Sequence, residues 1–231
     1  MLNLTQPTRR RGFLGTVAAG AVSMFGLASL VKSAPRGFAP PSPLQPGTGD
    51  ASFEEWIGKM KGKHKQVFDA PGANKGLPFA WARVFLMSNT QSGTPESDVT
   101  AVLVLRHEAI GAAMGHDLWS KYKLGELFKV TDPETKAPAV RNPFFQPKEG
   151  EQPLPDMSIE DLQKSGVLMG VCDMAMTVYS KMVGKTMNVD PADVKKEWVA
   201  GILSGIQIVP SGVYAINRAQ EAGCTYCFAG E

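Results

Sequence analysis

The stretch VTAVLVLR, residues 99–106, constrains this chain most. It is a near-continuous apolar and β-branched run, without the polar alternation of a strand that shows one face to water. A strand of that kind is buried on both faces, and such strands belong to parallel sheets covered by helices on each side. Three more runs of similar character follow, VLMGVC (167–172), IQIVP (206–210) and TYCFAG (225–230), and a shorter one, KQVFDA (65–70), precedes them. Helix-like segments lie between the runs, the signature of repeated βαβ units. The expectation is a three-layer α/β sandwich around a mostly parallel sheet of five strands.

The helical segments carry their own signals. LPFAWARVFLMSNTQ (77–91) is ambiguous in periodicity, but its length and the SGTPESD turn after it favour a helix. HEAIGAAMGHDLWSKY (107–122) reads as a helix broken near Gly111 or Gly115, and SIEDLQKSG (158–166) as a shorter one. In DPADVKKEWVAGIL (190–203), Asp190 is placed to cap, Pro191 suits the first turn, and Val194, Trp198 and Ile202 form one apolar face. SGVYAINRAQEAG (211–223) has Ser211 at its start and Gly223 to end it. Residues 131–155 are proline-rich and read as a long surface excursion, of the kind that serves function or a subunit contact.

With 231 residues, 43% of them hydrophobic, the chain has enough material for one domain with a sizeable core. Its formal charge of +2 misleads, because Arg9, Arg10, Arg11, Lys32 and Arg36 all precede Pro40 and no acid does. Setting these five aside leaves 19 basic residues against 22 acidic, a net of −3. Nothing in that balance suggests a nucleic-acid surface. The arginines are followed by Gly12, Phe13 and Leu14 and then by uncharged sequence to Val31, a twin-arginine export pattern rich in Gly, Ala and Ser. We therefore expect a leader over 1–34, a Pro/Gly-rich linker over 35–50 and a folded domain over 51–231, delivered to the periplasm or another extracytoplasmic space. Contact with a membrane is expected only through an uncleaved leader.

In a parallel α/β sheet, ligands bind beyond the carboxyl ends of the strands, where helix N-termini and loops converge. The residues there are His107, Cys172 with Asp173, and Ser211 with Gly212. Cys172 falls at the first turn of the helix beginning near Asp173, among free backbone N–H groups, which is an address for a nucleophilic thiol. The competing reading makes it a small core residue. Asp173 places a carboxylate beside the thiol, so its orientation matters. Cys224 and Cys227 are spaced as CxxC, but an extended segment holds them about 10 Å apart, too far for a disulfide. They read as packing or accessory thiols rather than a CxxC redox centre, which would need a turn at Cys224 that Gly223 allows; a staple from Cys172 to either is a further structural alternative. Met174, Val178 and Met182 recur every four residues and read as a core stripe rather than a copper site. No metal or cofactor is implied by any spacing.

Taken together, GVLMGVCDMAM, VDPADV, GIQIVPSGVYAINRAQEAGCTYCFAG and VTAVLVLRHEAI resemble the DsrE/DsrF-like family over roughly residues 60–230. The resemblance implies a small α/β fold with a five-stranded, largely parallel sheet that assembles into homo-oligomers, trimers or hexamers. In sulfur-relay members, the cysteine after the third strand accepts sulfur as a persulfide and passes it to a partner protein. By position that residue is Cys172, with His107, Asp173, Ser211 and Gly212 around it and Cys224 and Cys227 as accessory thiols. The leader, the insertion at 131–155 and the two C-terminal cysteines depart from the relay pattern. The rival expectation is a non-catalytic periplasmic binding or assembly protein, in which Cys172 is structural or helps to hold a metal or small ligand.

Overall fold

A computed structural model describes residues 49–230; the leader and most of the linker lie outside them. The described chain runs α1 (Gly49–Gly58), β1 (His64–Ala70), α2 (Leu77–Gln91), β2 (Val99–Leu105), α3 (His116–Tyr122), α4 (Leu124–Leu127), α5 (Ile159–Lys164), β3 (Leu168–Cys172), α6 (Asp173–Met187), α7 (Pro191–Ala200), β4 (Ile206–Val209), α8 (Gly212–Glu221) and β5 (Thr225–Phe228). The five strands form one sheet in the order β4-β3-β2-β1-β5, and every pairing is parallel. Sequence periodicity anticipated a mostly parallel sheet, and no antiparallel edge interrupts it.

The most apolar strand takes the central place. Every residue of β2 after Val99 is buried, and seven residue pairs, His64↔Val99 through Ala70↔Leu105, join it to β1. The edge strands β4 and β5 have four residues each. Short edges limit the row of open backbone groups that would recruit another chain.

Topology decides which face each helix covers. From β1 to β4 the chain steps in one direction, and the connecting helices bury Phe79, Trp119, Leu124, Ile159, Met176 and Trp198 in one core with Phe68, Leu103 and Val171. From β4 the chain turns back to the far side of β1. A right-handed crossover in the reverse direction requires the opposite face, and α8 accordingly buries Ala215, Ile216 and Ala219 there, against Val67, Val102 and Val104. Helix α1 completes that layer with Phe53 and Trp56. Its Phe53, Trp56 and Ile57 follow helical spacing, with Met60 packing just past its end, and the helix starts two residues inside the stretch read as linker.

Two expectations need correction. Residues 107–122 do not form one interrupted α-helix: His107–Ala113 is 3₁₀, and α3 starts only after Met114 and Gly115. The stripe of Met174, Val178 and Met182 faces outward, at 38%, 50% and 51% exposure. The buried side of α6 is instead Ala175, Met176, Tyr179, Ser180 and Val183. Its small residues let the helix lie close to the 3₁₀ segment and α7, at the cost of a weak hydrophobic signal.

The excursion between α4 and α5 is pinned by a fully buried Asn142. Its amide NH₂ donates to the carbonyls of Ala112 (2.7 Å) and Met114 (2.9 Å), and its side-chain oxygen accepts from the Phe144 N–H at 2.9 Å. The Asn142 N–H donates to His116 Nδ1 at 3.1 Å, so His116 serves as an anchor here. Gly125 of α4 touches the Ala139 backbone so closely that a Cβ would overlap it. Gly125→Ala should therefore cost about 3 kcal/mol, the upper range for overpacking where backbone must move. Gly58→Ala, with nothing within 4 Å of the added carbon, should be neutral or slightly stabilising. Urea denaturation of both variants checks the contrast.

Candidate functional site

Cys172 ends β3 and is itself the N-cap of α6: its sulfur accepts the Ala175 N–H at 3.3 Å, and the side chain is buried, with 6% exposure. The sulfur thus satisfies one of the free donors of the first turn. Asp173, next in sequence, turns toward α7, where Lys195 Nζ donates to its Oδ2 at 2.8 Å and to Thr177 Oγ1 at 2.8 Å. Its charge is offset by a cation and directed off the thiol.

At the same carboxyl edge of the sheet lies a group that sequence reasoning missed. Asp69, 3% exposed near the end of β1, accepts two hydrogen bonds from Arg106, Nε to Oδ1 at 2.6 Å and Nη2 to Oδ2 at 2.9 Å. Tyr226 of β5 donates to the same carboxylate at 2.8 Å. Asp69 pairs in register with Val104 and Phe228, placing the cluster where the strand order reverses. The hydrogen bonds it donates to Asp69 hold the Arg106 guanidinium more firmly protonated than an ordinary arginine; burial opposes this, and the charges of Asp69, Tyr226 and Cys172 add to it. Arg106 therefore links the ends of β1, β2 and β5 and lies within electrostatic reach of Cys172. The signal was present in KQVFDA, since an acid in an otherwise apolar strand end must find a partner.

Gly212 owes its place to the same arginine. A Cβ there would stand 2.5 Å from Arg106 Cβ, so the start of α8 packs on the arginine stem only as glycine. Ser211 caps α8 by accepting the Tyr214 N–H at 3.3 Å. No hydrogen bond among the described residues joins either of them to Cys172.

His107 takes a left-handed backbone (φ 52°), and its Nε2 lies 3.3 Å from the Tyr179 hydroxyl, with the rings edge-on at 5.7 Å. It faces a cavity of about 840 Å³ between the ends of β1, β2 and β5 and the excursion. Cys172 does not line that cavity, so this space and the candidate nucleophile are not one site. For thiol chemistry the strand-end position of Cys172 is the stronger guide, because a sulfane donor is small.

All three cysteines are free thiols. Cys224 precedes β5 at the amino end of the sheet, its sulfur 4.0 Å from Met60 Sδ, while Cys172 is at the carboxyl end with two strands between, so the staple between them is not formed. Cys227 is half-buried against the larger core, where β5 pairs with Phe68. Burial pushes both thiols up from the ordinary cysteine value, and for Cys224 Lys65 offsets part of that. Among the described residues no three His, Cys, Asp or Glu side chains gather to hold a metal.

Compared with known proteins, the chain matches no family model, no curated protein and no solved structure.

Two outcomes follow from this cluster. Asp69→Asn leaves Arg106 facing a neutral amide and should cost about 3 kcal/mol, the lower end for breaking a buried pair because Arg106 is a quarter exposed; Tyr226→Phe should cost less, about 1 kcal/mol. Chemical denaturation at neutral pH measures both. The Tyr179 phenol is pushed above its ordinary range, by burial first and by Glu108 second. A group that holds its proton more tightly when folded contributes stability that is whole below about pH 10 and is lost as pH rises through the raised folded value. Unfolding free energy should fall less steeply from about pH 9 to about pH 11 in Tyr179→Phe than in the parent; parallel slopes would contradict the assignment.

Proposed function

We propose that this protein is an exported, thiol-based sulfur carrier in which Cys172 receives a sulfane sulfur and passes it on. The observation that carries the reading is the placement of one free thiol at a strand-to-helix junction, on the first-turn N–H groups of α6 and within reach of the Arg106 charge. The resemblance to DsrE/DsrF-like relay proteins supports it, as does the twin-arginine pattern for a folded, periplasmic destination. The outward-facing Met174, Val178 and Met182 of α6 support self-association, a trimer or hexamer by that resemblance.

In the first step the Cys172 thiolate attacks the outer sulfur of a small persulfide R–S–SH. A new S–S bond forms, the donor S–S bond breaks, and R–S⁻ leaves with the electron pair, giving Cys172–S–SH. In the second, the thiolate of a partner protein attacks that outer sulfur; Cys172–S⁻ departs and the partner holds the persulfide. Sulfur moves without net oxidation. Arg106 attracts the anion at Cys172, whether thiolate or persulfide, and Asp69 with Tyr226 fixes the guanidinium that does so. With 6% exposure, Cys172 admits a short linear donor or polysulfide more readily than a bulky one.

That same low exposure favours a second reading, a periplasmic binding or assembly protein in which Cys172 is only a helix cap. Exposure of the full-length protein to polysulfide, followed by mass mapping of intact thiols, separates the two. The carrier gains one sulfur on the Cys172 peptide, keeps the gain in Cys224→Ser/Cys227→Ser, and loses it in Cys172→Ser. Modification of Cys172 only after denaturation would instead make it structural.

A further inference from the structure

Sulfur transfer leaves the cavity beside His107 unused. Its floor is apolar, with Phe128, Phe144 and Met157 buried there, and its rim brings up Lys75 and Lys129. A volume of about 840 Å³ lies within the ordinary span of small-molecule sites. The wall on one side is the 3₁₀ turn before α2, and on the other the excursion anchored by Asn142.

The charges are arranged for an anion. Of the lining acids, Glu151 is already committed, its carboxylate paired with Arg141 and accepting the Lys148 N–H at 2.7 Å. Lys136 donates to the Pro133 carbonyl at 2.5 Å. The ammonium groups of Lys75 and Lys129 make no ion pair or hydrogen bond with the described residues, and among those residues Glu108 is the one lining carboxylate left to oppose them. The backbone adds a second sign. Of the nine non-glycine residues with positive φ among the described residues, five line this cavity: Asn74, Lys75, His107, Lys129 and Lys136. Such conformations are retained where the surroundings hold a side chain in a required direction, and they gather at ligand sites.

We infer that this cavity binds a small organic anion, a carboxylate or sulfonate head held by Lys75 and Lys129 with an apolar body against Phe128, Phe144 and Met157. The site is independent of Cys172, and its failure would leave the sulfur-carrier reading untouched.

The test uses two fluorescent probes on the full-length protein: 1-anilinonaphthalene-8-sulfonate, and N-phenyl-1-naphthylamine, which has the same rings without the sulfonate. The sulfonate should bind saturably, more tightly than the neutral probe, and lose affinity as ionic strength rises. Lys75→Asn/Lys129→Asn should weaken the sulfonate about tenfold or more while leaving the neutral probe unchanged, as expected for two lost charge-assisted contacts. Asparagine accepts the left-handed backbone at both positions, so the fold is kept, as a thermal melt would verify. Met174→Gln/Met182→Gln controls for the exposed face of α6 and should leave sulfonate binding intact. Equal sulfonate affinity in the lysine variant, equal affinity of parent protein for both probes, or loss of binding in the methionine variant would each overturn the assignment.

Discussion

A carboxylate buried in a strand end organises the carboxyl edge of this sheet. Asp69 is nearly inaccessible and costs several kcal/mol to bury unless it is fully hydrogen-bonded. The fold satisfies it with both donor arms of Arg106 and the Tyr226 hydroxyl. Each partner comes from a different strand end, and each has a structural consequence. Arg106 lies flat under the start of α8, which excludes any side chain at position 212. Tyr226 ties the short edge strand β5 to its neighbour β1 by a side chain as well as by backbone. The guanidinium that results is already oriented within electrostatic reach of Cys172.

The chain reversal explains why these groups meet at all. While the connections step from β1 to β4, their helices share one face, and the return to β5 carries α8 to the other. At β1 the two directions diverge and the strand ends are not roofed by a single helix, which is where parallel sheets accommodate polar groups and ligands. Asp69, Arg106 and Tyr226 occupy that gap on the α8 side. The cavity at His107 opens between the ends of the same strands and the excursion.

Much of this was legible from residue type and spacing, where the physics is local. β2 announced itself because burial on both faces leaves no room for alternation, and α7 because Asp190 accepts the Ala192 N–H (2.8 Å) ahead of Pro191. What escaped was non-local. Nothing adjacent to Asp69 in sequence reveals Arg106, 37 residues on. The outward stripe of α6 is as periodic as its buried side, and only packing distinguishes Met174, Val178 and Met182 from Ala175, Tyr179 and Val183. Helix α1 was hidden by a Gly- and Pro-rich approach, although Phe53, Trp56 and Ile57 carry its spacing. His107 and Cys172, both nominated as strand-end residues, proved to face different surroundings, a distinction that strand ends in sequence do not encode.

The partition between those surroundings is aromatic and rigid. Tyr179 lies two turns along α6 from the cap at Cys172; its ring meets Phe128 of the cavity floor edge-on at 5.1 Å, and its hydroxyl reaches His107. Phe128 is in turn held against Gly111, where a Cβ would stand 2.6 Å from its ring, so the 3₁₀ segment can approach only as glycine. Close packing of this kind leaves the wall few ways to yield short of displacing α6 or the excursion. The carboxyl edge is therefore divided into two compartments with different chemistry. One is a buried thiol at a helix cap, within electrostatic reach of a fixed guanidinium. The other is a roomier, cation-rimmed hollow, and the excursion held down by Asn142 is what encloses it.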